Sequence, residues 1–219
     1  MAINSLSTGW RPGVCTSSTR PTAPYEGQVI YETDTDLSYV WGGAAWQQVS
    51  GGTAVGNSGL VYITSATVGS GSASVSVSNC FTSTYDNYKI IWTGGVSVGA
   101  EALSLNLLPT SVTGWNTSYY QHIAYNTYSA GVVGLYSNNA AKWTYVGEIT
   151  TANKTNINFE LFAPNLAQYT ALSNNYHGGG GAGSGAGLHQ IASAFTGFTI
   201  SGASNFSGGT ITVYGYRKA

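Results

Sequence analysis

From Leu60 to the end, the chain is a run of short alternating segments that never lengthens into a helical period. LVYITSAT, ASVSVS, NYKIIWTGG, ALSLNLL, SYYQHIAYN, VVGLY, KWTYVGEIT, TNINFELF, YTALSNNY, HQIASAF, FTISG and GTITVYGYR follow one another, rich in Val, Ile, Thr and aromatics. Gly, Asn, Ser, Pro109 or Pro164 interrupt them about every 8 to 15 residues, which predicts antiparallel strands stacked as two sheets. In NYKIIWT and TITVYGY bulky groups alternate with Lys, Thr or Gly, as half-buried strands require. No amphipathic stretch of about ten residues appears. Residues 60–219 suffice for one two-sheet core. The expected fold is all-β, with a jelly-roll-like antiparallel β-sandwich as its outer domain.

Ahead of that domain the pattern differs. Pro12, Pro21 and Pro24 fix φ, remove backbone donors and push the preceding residues toward extended geometry, so residues 1–24 are predicted to form an arm. QVIYETDTDLSYVW then places Val29, Tyr31, Leu37, Tyr39 and Trp41 in alternation, with turn chemistry at Thr33 to Asp36. Gly42 and Gly43 allow a second turn into Ala45, Trp46 and Val49. A hairpin module of about 25 residues buries too little apolar surface to stand alone, so it is expected to dock on a partner. GGTAVGNSG, residues 51–59, has no apolar anchor and reads as a linker. The organisation is therefore 1–50 arm and hairpin, 51–59 linker, 60–219 sandwich.

Composition narrows the function. Charged residues make up 7% of the chain, against about a quarter in an ordinary globular protein, and the net charge is -1. The seven cations (Arg11, Arg20, Lys89, Lys142, Lys154, Arg217 and Lys218) are scattered, which argues against phosphate neutralisation and a nucleic-acid partner. A hydrophobic content of 42% argues against disorder. No window of about 18 apolar residues occurs, and MAINSLSTGWRPG lacks the pattern of a secretory signal, so neither membrane insertion nor export is expected. Cys15 and Cys80 have no CxxC spacing and read as unpaired thiols of a reducing cytoplasm. So few charges imply surfaces covered by neighbours, or loops that work through hydroxyls and amides.

Chemistry-bearing motifs are sparse. HGGGGAGSGAGLH, residues 177–189, contains a literal GxGxxG at Gly178, Gly180 and Gly183, but no helix pattern or GK[ST] follows. It reads as a mobile surface loop, either a connection or a tip that adapts to a receptor or packs along a trimer axis. His122, His177 and His189 lack the HxH or HExxH spacing of a metal site. Glu26, Glu32, Asp34 and Asp36 lack an EF-hand pattern and read as a solubilising outer face. Neither a metal nor another cofactor is expected. Glu148 and Glu160 are the one carboxylate pair that adjacent strands could bring face to face for glycoside hydrolysis, although an isolated strand carboxylate is more often paired with a lysine.

The segments GWNTSYYQ, YNTYSAG and SNNYHGG offer Trp115, Asn116, Tyr119, Tyr125, Asn126, Tyr128, Asn174 and Tyr176. Sugars are gripped by aromatic faces and neutral hydrogen-bonding groups, so these residues are candidates for glycan binding. Aromatics packed between subunits explain the same pattern equally well.

The run TRPTAPYEGQVIYETDTDLSYVWGGAAW, from Thr19 to Trp46, resembles a module near the start of many tailed-bacteriophage virion proteins, among them tail fibres, minor tail proteins and head-surface proteins. TSTYDNYKIIWTGGVS (82–97) and GGTITVYGYRKA (208–219) resemble, less specifically, segments of the all-β domain that closes many phage fibre and tail-tip polypeptides. Residues 98–207 match only in general character. The resemblance implies a non-enzymatic virion protein, assembled in the host cytoplasm and displayed on the virion surface. It implies docking on another virion protein, of tail or capsid, through Arg11, Pro12, Arg20, Pro21, Pro24, Tyr25, Tyr31, Trp41 and Trp46. A homotrimer is expected on the same ground, and because neutral strand edges are better covered than exposed. Two placements stay open: a tail fibre or tail-tip protein binding host surface glycans, favoured by the order of anchor then β-domain, or a capsid decoration or head fibre. A capsular polysaccharide depolymerase is the enzymatic alternative.

Overall fold

Residues 12–50, 59–109, 116–129, 131–152, 154–178 and 180–218 are described by a computed structural model of the chain. Two compact units divide it, Met1–Asn57 and Ser58–Ala219. No helix of any length occurs among the described residues.

The first unit is a four-stranded sheet in chain order: β1 (Gly13–Cys15), β2 (Val29–Glu32), β3 (Leu37–Trp41) and β4 (Trp46–Ser50). The TDTD turn holds Asp36 at φ 55°, a left-handed conformation that Asp tolerates, and the Tyr31 hydroxyl donates to its Oδ1 at 2.7 Å. Gly43, at φ 89°, turns β3 into β4, where Trp41 and Trp46 meet edge to face at 5.5 Å. The proline-spaced arm is not free: β1 pairs parallel to β2 in the register Val14 to Tyr31.

A polar lock ties that arm down. Glu32 is fully buried and ion-paired with Arg20, whose guanidinium also sits 4.4 Å above the Tyr39 ring. Asp34 accepts from the Ser17 amide at 2.9 Å and from its hydroxyl at 2.6 Å. Glu32 therefore leaves the solubilising face expected of it, because the arm returns across the hairpin and covers it, while Glu26, Asp34 and Asp36 stay exposed. Only Ile30 and Glu32 are buried among the described residues of this unit, while Val14, Tyr25 and Val49 stay exposed.

The hydrogen bond from Arg20 holds the Glu32 carboxyl below its usual range, assisted by the Thr35 hydroxyl, and the Ser17 hydroxyl does the same for Asp34. Depressed carboxyl pKa values stabilise the folded arm above the unfolded carboxyl pKa, and that contribution is lost as pH falls through the folded values. The amide resonances of Gly13–Cys15 are thus expected to stay dispersed at neutral pH and to collapse below about pH 4, whereas Arg20→Ala collapses them at pH 7. Unchanged dispersion in the variant would contradict the lock.

The second unit is an antiparallel sandwich. Its strands are β5 (Leu60–Thr67), β6 (Ser72–Val77), β7 (Asn87–Thr93), β8 (Val96–Ser97), β9 (Glu101–Pro109), β10 (Tyr119–Thr127) and β11 (Val132–Ala140). Then follow β12 (Trp143–Ile149), β13 (Asn156–Phe162), β14 (Thr170–His177), β15 (Gly181–His189), β16 (Phe195–Ser207) and β17 (Thr210–Tyr216). One sheet of eight strands runs β11-β10-β15-β14-β13-β7-β17-β5; the facing sheet runs β12-β9-β16-β6, with β8 also on β16. This is a β-sandwich, and sheets of eight and five strands do not by themselves establish the jelly roll expected.

The core between the sheets is aromatic. Trp92 meets Phe206 at 5.3 Å, Phe159 meets Phe198 at 5.9 Å and Tyr119 meets Trp143 at 5.0 Å, each pair edge to face across the layers. Leu103, Leu105 and Leu107 of β9 and Tyr88 and Ile90 of β7 complete it by strict alternation, all fully buried.

The glycine-rich segment expected as a surface loop is instead β15, an interior strand. All nine of its residues pair with β10, and eight pair with β14. Gly183, Gly185 and Gly187 face the core, where neighbouring side chains occupy the space a Cβ needs. At Gly183 a Cβ would stand 2.5 Å from the Tyr176 ring and 2.7 Å from Tyr125; at Gly187 it would strike the Trp143 indole. Strand propensity disfavours glycine, but here the partners' packing overrides it.

The bare inner face lets side chains of the large sheet reach the opposite backbone. β12 leaves its ladder with β9 between Trp143 and Gly147. Gln121 Oε1 accepts from the Tyr145 amide at 3.1 Å, and Asn174 Nδ2 donates to the Val146 carbonyl at 3.1 Å, so backbone groups beside the break are satisfied from across the core. A second expectation also fails: HQIASAF is not a strand, since 190–194 bridge β15 to β16 irregularly, with Phe195 N donating to Pro164 O at 2.7 Å.

Overpacking sets the size of the test. Gly187→Val is expected to lose about 3 kcal/mol in urea unfolding, while Gly134→Ala in β11, where a Cβ meets nothing within 4 Å, changes stability by less than about 0.5 kcal/mol. Equal effects would contradict the interior placement of β15.

Candidate functional site

Because residues opposite one another in antiparallel strands share a face, the small residues of β15 also shape the outside of the large sheet. Ala186 lies between His122 and Ser173, Ser184 between Ala124 and Asn175, and Ala182 between Asn126 and His177. Beyond β10, His122 is flanked by Tyr136 of β11. The outer surface therefore dips along β15 and rises in rings and amides on both sides.

Two adjoining cavities occupy that dip. The larger, about 600 Å³, is lined by Tyr120, His122, Tyr136, Asn138, Ala186 and Leu188 among others. The smaller, about 290 Å³, has Asn126, Asn175, His177, Ala182 and Ser184 in its walls. No Asp, Glu, Lys or Arg lines either. Tyr136 is 83% exposed, and the Ser137 hydroxyl beside it is buried without a hydrogen-bond partner. A shallow neutral trough with an exposed ring, amides, imidazoles and small floor residues suits a flat polyhydroxylated ligand.

The glycan candidates named from sequence are mostly elsewhere. Tyr119 and Tyr176 are fully buried: the Tyr119 hydroxyl accepts from Leu107 N at 3.1 Å, and the Tyr176 and Tyr145 hydroxyls lie 3.2 Å apart. Burial raises both phenol pKa values, that of Tyr119 to about 12. Asn174 is buried on Val146, and Tyr125 stacks on Tyr145 at 5.3 Å on the inner side. Tyr119, Tyr176 and Asn174 are closed to solvent, while Tyr125 is half-buried and borders the smaller cavity. Asn116 and Tyr128 are exposed, and Trp115 lies outside the described residues. Of the named candidates Asn126 lies in the trough, and its neighbours there, Tyr120 and His122, sit in the same strand one position out of register with Tyr119 and Gln121. Period-2 alternation groups such residues without saying which set faces outward.

Of the attachment candidates, Arg11 lies outside the described residues, and Arg20 spends its guanidinium on Glu32 and Tyr39. Pro12, Pro21, Pro24, Tyr31, Trp41 and Trp46 are half-buried, and Tyr25 is 70% exposed.

Glu148 belongs to β12 and Glu160 to β13, in different sheets, so they do not face each other across adjacent strands. Glu160 lies 3.5 Å from Lys89 Nζ and accepts from the Tyr216 hydroxyl. His189 is fully buried against Tyr119 and Phe195, while His122 and His177 lie on the outer face. Among the described residues no three His, Cys, Asp or Glu side chains are grouped to hold a metal ion. Cys80 is buried, and desolvation pushes its thiol up to about 12.

Compared with protein-family models, curated proteins and solved structures, the chain matches none.

Ala186→Arg should fill the trough without touching the core, leaving the melting temperature unchanged and protecting His122 from diethyl pyrocarbonate. Undiminished modification of His122 would show that Ala186 does not share its cavity.

Proposed function

We propose that this chain is a non-enzymatic surface protein of a tailed-bacteriophage particle, of the tail-fibre or tail-tip kind. Residues 1–50 join it to another virion protein, and the sandwich takes a saccharide of the host surface in the trough over β15. The carrying observation is the trough: an uncharged, shallow face with the Tyr136 ring exposed and with Asn126, Asn138, Asn175, His122 and His177 as hydrogen-bonding groups. A sheet with one buried hydrophobe, Ile30, among its described residues supports the docking half, since Val14, Tyr25 and Val49 stay exposed for a partner to cover.

Self-association into a homotrimer belongs to the same reading. β11 is an edge strand of nine residues with no charge and no proline, the devices that keep edges apart, and Val133 and Leu135 are 41% and 40% exposed.

The full chain is expected to bind host-surface saccharides on a glycan array, with affinity falling about 10-fold in Tyr136→Ala at unchanged melting temperature. Native mass should be that of a trimer; a monodisperse 22.8 kDa species at micromolar concentration would contradict this. Quantitative gel analysis of particles tests the placement. A low copy number supports the fibre, a high one supports a capsid decoration, and absence from particles overturns the proposal.

A further inference from the structure

Trp92 is fully buried, yet its indole Nε1 has no hydrogen-bond partner. Indole N–H can only donate, so the group waits for an acceptor that the fold does not supply. It lies under two facing turns, Gly94–Gly95 between β7 and β8 and Gly208–Gly209 between β16 and β17. All four glycines have positive φ, between 75° and 96°. A Cβ on Gly209 would stand 2.7 Å from Nε1, and one on Gly95 would stand 3.4 Å from it.

Those glycines line a cavity of about 570 Å³, together with Thr93, Asn156 and Lys154. Lys154 is exposed and, among the described residues, in no ion pair. The cavity is not isolated from the trough: Asn156 pairs with His177, which lines the trough's smaller cavity. One row of outward residues thus runs from Asn126 through Ala182, His177 and Asn156 to Thr93. It leads from a neutral surface to a lone cation and a buried donor.

We propose that the glycine-lined cavity is an end subsite for the carboxylate of an acidic saccharide, with Lys154 supplying charge, Asn156 an orienting amide and Trp92 the buried donor. This rests on the saccharide reading of the trough and names the ligand class. Nε1 has under 1 Å² of accessible surface and the two glycine turns pack against each other through backbone atoms, so binding has to part them. A carboxylate is selected over a hydroxyl because it alone forms an ion pair with Lys154 and gives the neutral indole N–H of Trp92 a charged acceptor.

The test titrates the full chain, ¹⁵N-labelled at tryptophan, with a glucuronate-terminated disaccharide, its glucose-terminated counterpart and inorganic phosphate. The acid is expected to bind about 10-fold more tightly than the neutral sugar and to shift the Trp92 indole resonance, assigned with Trp92→Phe. Lys154→Ala, an exposed change that spares the fold, should erase the preference and leave neutral binding intact. Equal affinities with an unmoved indole resonance overturn the subsite while leaving the trough reading in place. Phosphate binding as well as the acid overturns the saccharide assignment and marks a general anion site. Acid binding without any neutral binding, unaffected by Tyr136→Ala, would instead refute the trough.

Discussion

Gly183, Gly185 and Gly187 present no side chains to the interior, and the way the two sheets meet depends on that. The space they leave is filled from three directions, by Tyr125 of β10, Tyr176 of β14 and Trp143 of β12. Interiors are close-packed, so a strand without side chains obliges large neighbours to lean over it. With the gap filled by rings, Gln121 and Asn174 come close enough to bond the backbone of β12 where its own ladder breaks. The same strand places Ala182, Ser184 and Ala186 on the outside, and the trough is their consequence. One choice of small residues thus sets both the core and the candidate site.

The N-terminal unit solves the opposite problem. With almost nothing apolar to bury, it is held by an ion pair and short polar contacts that bring the arm back over the hairpin. Breaking a buried pair leaves an uncompensated charge, so such locks define one geometry more than they add stability. That suits a module whose remaining apolar groups, Val14, Tyr25 and Val49, face outward.

Much of this was legible in the sequence, and the failures have physical causes. Segments such as LVYITSAT and TNINFELF carry their alternation openly and became β5 and β13 with bounds within a residue. HGGGGAGSGAGLH reads as a loop because glycine's strand penalty is a local property, whereas the aromatics that require glycine, Tyr125, Trp143 and Tyr176, lie outside the segment and meet it only once the strands pair. HQIASAF alternates like a strand but crosses between sheets, a fact set by topology. Facing was illegible for a similar reason: Tyr119 and Tyr120 are chemically alike, and only pairing with His189 and Leu188 decides that the first is core and the second is trough. The Arg20–Glu32 contact joins residues whose charges look solvated until the arm folds back.

Core and trough both require residues 181–189 to be an interior strand, and amide hydrogen exchange of the intact protein tests this most directly. Protection across these residues should equal that of β14 beside them, since both exchange only when the large sheet opens. Exchange at the rate of a free chain, with β14 still protected, would mean that the segment is a surface loop. It would remove the packing of the core and the trough together.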